Sequence, residues 1–368
     1  MKFDRILILL FFLFSTLHQI IGGKEDLTFL RLAQFIGLVA FFTLFMEVKL
    51  KDVIGKTSFK ILLICLVSTI LVGVANNRLY LLNLIYPLSF FSISLLVIKT
   101  KPSPRFFIIV TLLVFAFLSF SFLRGVPPAE WLKGSRNYVS VVLIYLTITT
   151  ICIARINNKA PTLLIYFVLP LLCVAFSVIA LGRSGIISSL MLFFASVFYL
   201  IKDKKNKSKI RVFLVLISFG MIYLVSEKYD TIEANYLYKF QTKALELDER
   251  GDVINLYTDK IDFLSSIFSV PDINFIAALE GITLHNSYLH WHFSYGLGAF
   301  LIFVLILQSI FKSIKQEVYL NLLLVIILVR SFSDQILLSD GILLGLPLLM
   351  IIAINDHKVF VPNKPEKP

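Results

Sequence analysis

Charge is scarce in this sequence. Asp, Glu, Lys and Arg make up 16% of its 368 residues, against roughly 25% in soluble domains. A polar-surfaced globule of ordinary composition is excluded. Cysteine is scarcer: Cys65, Cys152 and Cys173, each inside an apolar run. Such a set builds no disulfide framework and has no zinc-ligand spacing. A glycine-rich nucleotide loop is missing, and so is a paired-aspartate motif of the kind that holds a metal-bound sugar nucleotide. The expected cofactor set is therefore empty, with no metal and no nucleotide.

Hydrophobicity fills the space that charge leaves. Apolar residues reach 58%, Phe alone occurs 35 times, and the mean hydropathy is +0.88. Apolar runs of about 16–22 residues recur along the chain, the length needed to cross about 30 Å of hydrocarbon. The expected spans cover residues 6–21, 27–47, 59–75, 79–98, 106–122, 138–154, 162–181, 186–201, 210–225, 294–311, 319–332 and 342–355. The first follows Lys2 and Arg5 as a signal peptide would, yet no small-residue cleavage site follows it and the next run begins at Leu27. It reads as a retained span. The seventh and eighth are separated only by Gly182-Arg183-Ser184-Gly185. A turn belongs there, because one apolar helix of about forty residues does not fit one bilayer. The expectation is an all-α polytopic membrane protein with about twelve transmembrane helices, a single integral membrane domain over residues 1–368.

Charge orients those spans. Alternate connections hold 22 of the 35 Lys and Arg residues, and each of them is short. By the positive-inside bias they face the cytoplasm. Both termini are then inside, and Arg124, Arg136, Arg183 and a long polar loop over residues 226–293 are outside. The net charge of +12 needs no nucleic acid to explain it, and none is expected as a partner. No internal repeat is visible, which weighs against a duplicated carrier.

The long loop lies between the ninth and tenth spans and carries most of the polar chemistry. Ile232–Leu247 and Leu256–Phe268 place apolar residues near helical spacing. Two short amphipathic helices at the membrane surface follow, either as a pad at headgroup level or as a wall of a cavity. Arg250 sits among Asp248, Glu249 and Asp252, where a solvated salt bridge is the plain explanation. A guanidinium is also suited to a pair of phosphate oxygens, being planar, permanently charged and bidentate.

Arg183 is the more telling arginine. It stands where two apolar spans meet, between Gly182 and Ser184-Gly185. Snorkelling to headgroups would account for it. So would an anion site, in which glycine and serine let an anion approach the N–H groups of a helix start. His285 follows the loop, and its imidazole can take a proton from a hydroxyl near neutral pH. Asn286 is placed to orient it or to bind a sugar hydroxyl. His290 and His292, beside Trp291 and Tyr295, read as a belt at the membrane surface. Arg124 and Arg136 are secondary candidates that would add positive field. Arg330 and Asp334, four residues apart, are expected to pair with each other and to stand in a supporting shell.

These residues together resemble the bacterial O-antigen ligase and O-antigen polymerase superfamily. The resemblance rests on Leu181-Gly182-Arg183-Ser184-Gly185 before a span, on Arg250-Gly251-Asp252-Val253-Ile254-Asn255-Leu256-Tyr257 in the outer loop, and on His285-Asn286 followed by Gly296. As motif it covers residues 181–298; as architecture it covers most of the chain. Family patterns often continue with further small residues where this chain has Leu297-Gly298-Ala299. The resemblance implies a GT-C-like membrane glycosyltransferase of a bacterial inner membrane, using undecaprenyl-diphosphate-linked oligosaccharides as donor and acceptor. By the same resemblance Arg183 and Arg250 would hold the diphosphate, and His285 would activate the acceptor hydroxyl. A chain-length regulator joins the lipid bilayer among the implied partners. A repeat-unit polymerase is favoured over a ligase acting on lipid A core. The rival of another class is a flippase for the same lipid-linked units.

Overall fold

The computed structural model describes residues 2–21, 27–47, 55–77, 81–132, 136–157, 162–180, 182–202, 255, 257–270, 287–332 and 344–360. Among these residues every regular element is helical. In chain order they are α1 (Lys2–Ile20), α2 (Thr28–Glu47), α3 (Thr57–Ala75), α4 (Leu82–Thr100), α5 (Pro104–Leu123), α6 (Pro128–Trp131), α7 (Arg136–Ile156), α8 (Leu169–Ile179, preceded by a π-turn over Leu164–Val168), α9 (Arg183–Ile201), α10 (Phe263–Phe268), α11 (Ser287–Tyr295), α12 (Leu297–Ser313), α13 (Val318–Ser331) and α14 (Gly345–Phe360).

Seven of these helices, α1–α5, α7 and α9, are long and apolar enough to cross a membrane. The apolar helices over Leu164–Ile179, α12, α13 and α14 are shorter. Together the two groups coincide with the expected spans except the ninth, residues 210–225, which lies outside the described residues. Of the long loop over residues 226–293, only 255, 257–270 and 287–293 are described. The build is that of a polytopic membrane protein. Phe35, Phe42, Phe194 and Phe300 point outward and stay exposed, as side chains do where lipid is the solvent.

Local sequence explains the helix limits. Ser103 caps α5 by accepting from the Arg105 N–H, with Pro104 at the first helical position, where its missing N–H costs nothing. α4 ends at Lys101, whose left-handed φ of 46° stops the helix. The tenth expected span is broken at Gly296, whose φ of +52° separates α11 from α12. Glycine adopts that conformation readily, and an added Cβ would collide with the Ile267 carbonyl.

α7 is the central pillar, with 94% of its apolar window over Tyr138–Ile156 buried. α5, α8, α9 and α14 pack around it. α5 runs antiparallel to α7, α8 to α9 and α9 to α13, with hydroxyl pairs across their seams: Thr111 with Thr150 at 3.2 Å, Ser177 with Ser189 at 2.8 Å and Ser196 with Tyr319 at 2.9 Å. α7 and α9 run parallel, meeting at Ser140 and Gly185 near their starts and at Arg155 and Tyr199 near their ends. One end of the bundle therefore gathers Asp4, Arg5, Lys99, Arg155, Glu317 and Asp356. Lys99 pairs with Asp4 at 3.3 Å and also with Glu47. Asp356 accepts from the N–H and hydroxyl of Ser58 at 2.9 and 3.0 Å, a carboxylate placed on the N-terminus of α3. The connections counted as basic in the sequence, insofar as they are described, lie at this end. The opposite end holds Asn76, Arg183, Arg330 and the segment 257–270.

Candidate functional site

The site is built at that opposite end, where the last turn of α13 meets the first turns of α7 and α9. α9 starts at Arg183 because Gly182 is extended (φ −84°, ψ 101°), and the Ile186 N–H closes the first turn onto the Gly182 carbonyl at 2.8 Å. Glycine has no side chain, so the N-cap residue of α9 makes no capping bond of its own at the positive end of the helix dipole. Arg183 is half-buried there.

Gly185 sets how near α9 comes to α7. A Cβ on Gly185 would overlap the side chain of Ser140, so only glycine permits this approach. The Ser140 hydroxyl in turn accepts from Arg330 Nη2 at 3.3 Å. Arg330 is 0% exposed, one of the largest fully buried side chains among the described residues. Ser140 thus bridges a buried guanidinium on α13 to the turn that carries Arg183. The sequence offers no signal for Ser140, one small residue in an apolar helix.

α11 is fastened to the same place. The Tyr288 hydroxyl donates to the Leu328 carbonyl at 2.9 Å, two residues before Arg330. Its ring packs on Phe332 at 4.6 Å and meets Trp291 edge-on at 6.0 Å. His285, Asn286, Arg250 and Asp334 lie outside the described residues, as does the expected pair between Arg330 and Asp334. Arg136 opens α7, and its side chain is also outside them. Arg124 caps the end of α5 and is exposed, with its guanidinium 4.2 Å above the Phe120 ring. It is brought onto its own helix rather than into contact with Arg183.

His292, expected in a surface belt, makes two bonds the sequence does not show. Its Nε2 lies 3.0 Å from the Ser266 carbonyl and its Nδ1 2.8 Å from the Tyr257 hydroxyl. A carbonyl only accepts, so Nε2 carries the proton and Tyr257 donates to Nδ1. His292 is a clip for the segment 257–270. Asn76 adds a bond to the Phe268 carbonyl at 2.6 Å, and the Ser269 hydroxyl donates to the Phe293 carbonyl at 2.9 Å. α10 is shorter than the expected 256–268 helix: residues 257 and 258 are helical, the chain turns at 259 and 260, and α10 follows. Phe263 and Leu264 on α10 are 79% and 63% exposed.

An apolar groove of about 530 Å³ runs along the seam of α9 and α13. Ile187, Met191, Phe194 and Phe198 form one wall, and Leu322, Val325 and Ile326 the other. It begins one helical turn after Arg183. No protein-family model, curated protein or solved structure matches this chain. Among the described residues no group of three His, Cys, Asp or Glu side chains comes together as a metal site.

Proposed function

We propose that this chain is a membrane glycosyltransferase that joins undecaprenyl-diphosphate-linked oligosaccharide repeat units into a surface polysaccharide, on the outer face of a bacterial inner membrane. The observation that carries the reading is the junction of a cationic turn with an apolar groove. Arg183, on a helix start whose N-cap is a glycine, leads into the α9–α13 seam. An amphiphile with an anionic head and a long hydrocarbon tail is complementary to both parts. The resemblance of the Gly182-Arg183-Ser184-Gly185, Arg250 and His285-Asn286 motifs supplies the sugar chemistry.

In this reading the acceptor hydroxyl oxygen bonds to the anomeric carbon of the donor. The bond from that carbon to the diphosphate breaks on the opposite face, and its electron pair leaves with undecaprenyl diphosphate. The hydroxyl proton passes to His285. Arg183 and Arg250 hold the diphosphate and stabilise the charge developing on it. Proton transfer by a placed imidazole contributes roughly 10²–10⁴-fold.

The test is the polysaccharide pattern of a deletion strain. A polymerase leaves single repeat units attached to the lipid A core, and complementation with the wild-type gene restores the ladder. A core without any repeat unit would make the chain a ligase. Lipid-linked units held in the inner leaflet would make it a flippase.

A further inference from the structure

The geometry points to Arg330 as a positioning residue for the anion site, acting through Ser140 on the Gly182–Gly185 turn. The inference rests on the reading of Arg183 as a diphosphate ligand. Arg330 is fully buried and does not itself face the outside. Its Nη2 donates to Ser140 at 3.3 Å, and Ser140 is 1% exposed. The Ser140 side chain occupies the space that a Cβ of Gly185 would need, so the turn of α9 rests directly on it. Arg183 and the first N–H groups of α9 belong to this one turn, so the support under Gly185 decides whether the turn keeps its helical geometry, and with it the spacing between the guanidinium and those N–H groups.

This matters because a diphosphate is a two-point ligand. One phosphoryl group can be met by the guanidinium and the other by the helix N-terminus. A monophosphate needs only one of these contacts. Losing about an ångström of register therefore costs the two-point ligand more than the one-point ligand. Arg330 suits the supporting role because its charge is permanent and its planar fork fixes the hydroxyl it bonds. Its positive charge beneath the turn also adds to the field at the α9 N-terminus. A bond from a charged group to a neutral hydroxyl is strong enough to hold a surface turn in one position.

The experiment measures the affinity of the purified full-length protein, in detergent micelles, for farnesyl diphosphate and farnesyl monophosphate. Ser140→Ala removes the hydroxyl and leaves the Cβ on which Gly185 rests. Its expected effect is a loss on the order of ten-fold in diphosphate affinity, with the monophosphate affinity changed much less. Ser196→Ala, which loses a comparable buried hydroxyl bond at the other end of the bundle, is the control and keeps the wild-type ratio of affinities. Should Ser140→Ala fail to fold, Ser140→Gly, which removes the same hydroxyl and adds no bulk against Gly185, carries the same test. A wild-type ratio in the Ser140 variant, with the ratio lost in Arg183→Ala, overturns the role of Arg330 and leaves the anion site standing. Wild-type diphosphate binding by Arg183→Ala overturns the anion site itself, and this inference with it.

Discussion

Arg155 Nη2 donates to both carboxylate oxygens of Glu317, at 3.0 and 2.8 Å, and so ties the last turn of α7 to the residue before α13. The Arg155 guanidinium also lies 5.1 Å from the centre of the Tyr199 ring and bonds the Tyr199 hydroxyl. Tyr199 stacks on Tyr319 at 4.5 Å. The network clamps α7, α9 and α13 at the end of the bundle away from Arg183. Breaking one half leaves a charge stranded in a poorly solvated place, at a cost of about 3–5 kcal/mol. Glu317→Leu is expected to lower the unfolding midpoint sharply. Arg155→Met with Glu317→Leu should recover most of that loss, and a thermal unfolding series in detergent checks both.

Gly298 on α12 faces Ser68 on α3, where an added Cβ would overlap the serine side chain and come within 3.3 Å of Ile64 Cγ2. Small residues allow this approach of two apolar helices. Gly298→Ala is expected to destabilise by about 1–3 kcal/mol through overpacking. Ser68→Gly in the same chain should relieve it. Comparing the single and double variants in the same unfolding assay decides the matter.

Tyr288→Phe keeps the ring against Phe332 and drops the hydroxyl bond to Leu328. The stability loss should be modest, about 0.5–1.5 kcal/mol. Turnover should fall more than stability, because α11 starts two residues after His285. Donor KM should hold. The check is a kcat and KM comparison on a lipid-linked substrate; equal losses in Tyr288→Phe and in a remote hydroxyl variant would remove the special role of Tyr288.

Asp262 caps α10, and its carboxyl is held below the usual carboxylate range by the Ser265 N–H and then by the Ser265 hydroxyl. A carboxylate with a lowered folded pKa stabilises above its ordinary titration range. That contribution fades as pH falls through the folded value. Limited proteolysis of the segment 257–270 should therefore be slow at neutral pH and accelerate under acid conditions. Ser265→Ala should move the onset to higher pH.

His292→Ala should loosen the same segment at all pH values, since it removes two bonds at once. Cleavage within 257–270 is again the readout. Cleavage at the wild-type rate would mean that Asn76 and Ser269 suffice to hold it.

The apolar runs made the helices readable, because a bilayer demands both length and internally satisfied backbone hydrogen bonds. The turn at Gly182–Gly185 was readable for the same reason. The break at Gly296 was not, since a residue with positive φ and a carbonyl pressed against it is a tertiary event. The bonds of His292 to Tyr257 and Ser266 were not readable, because both partners are distant in sequence. Arg330 was recognised as a candidate from its place at the end of a span, but its partner Ser140 carried no signal of its own.

By itself the sequence determined that this is a helical chain suited to lipid, with arginine at a tight turn, because hydrophobic length and charge placement are local properties. Only the tertiary structure decided that Arg330 bonds Ser140 where Ser140 meets Gly185, and that an apolar seam of α9 and α13 starts one turn after Arg183. Those relationships depend on how near two helices approach, and that distance is decided where Gly185 meets Ser140, by the absence of a single carbon atom.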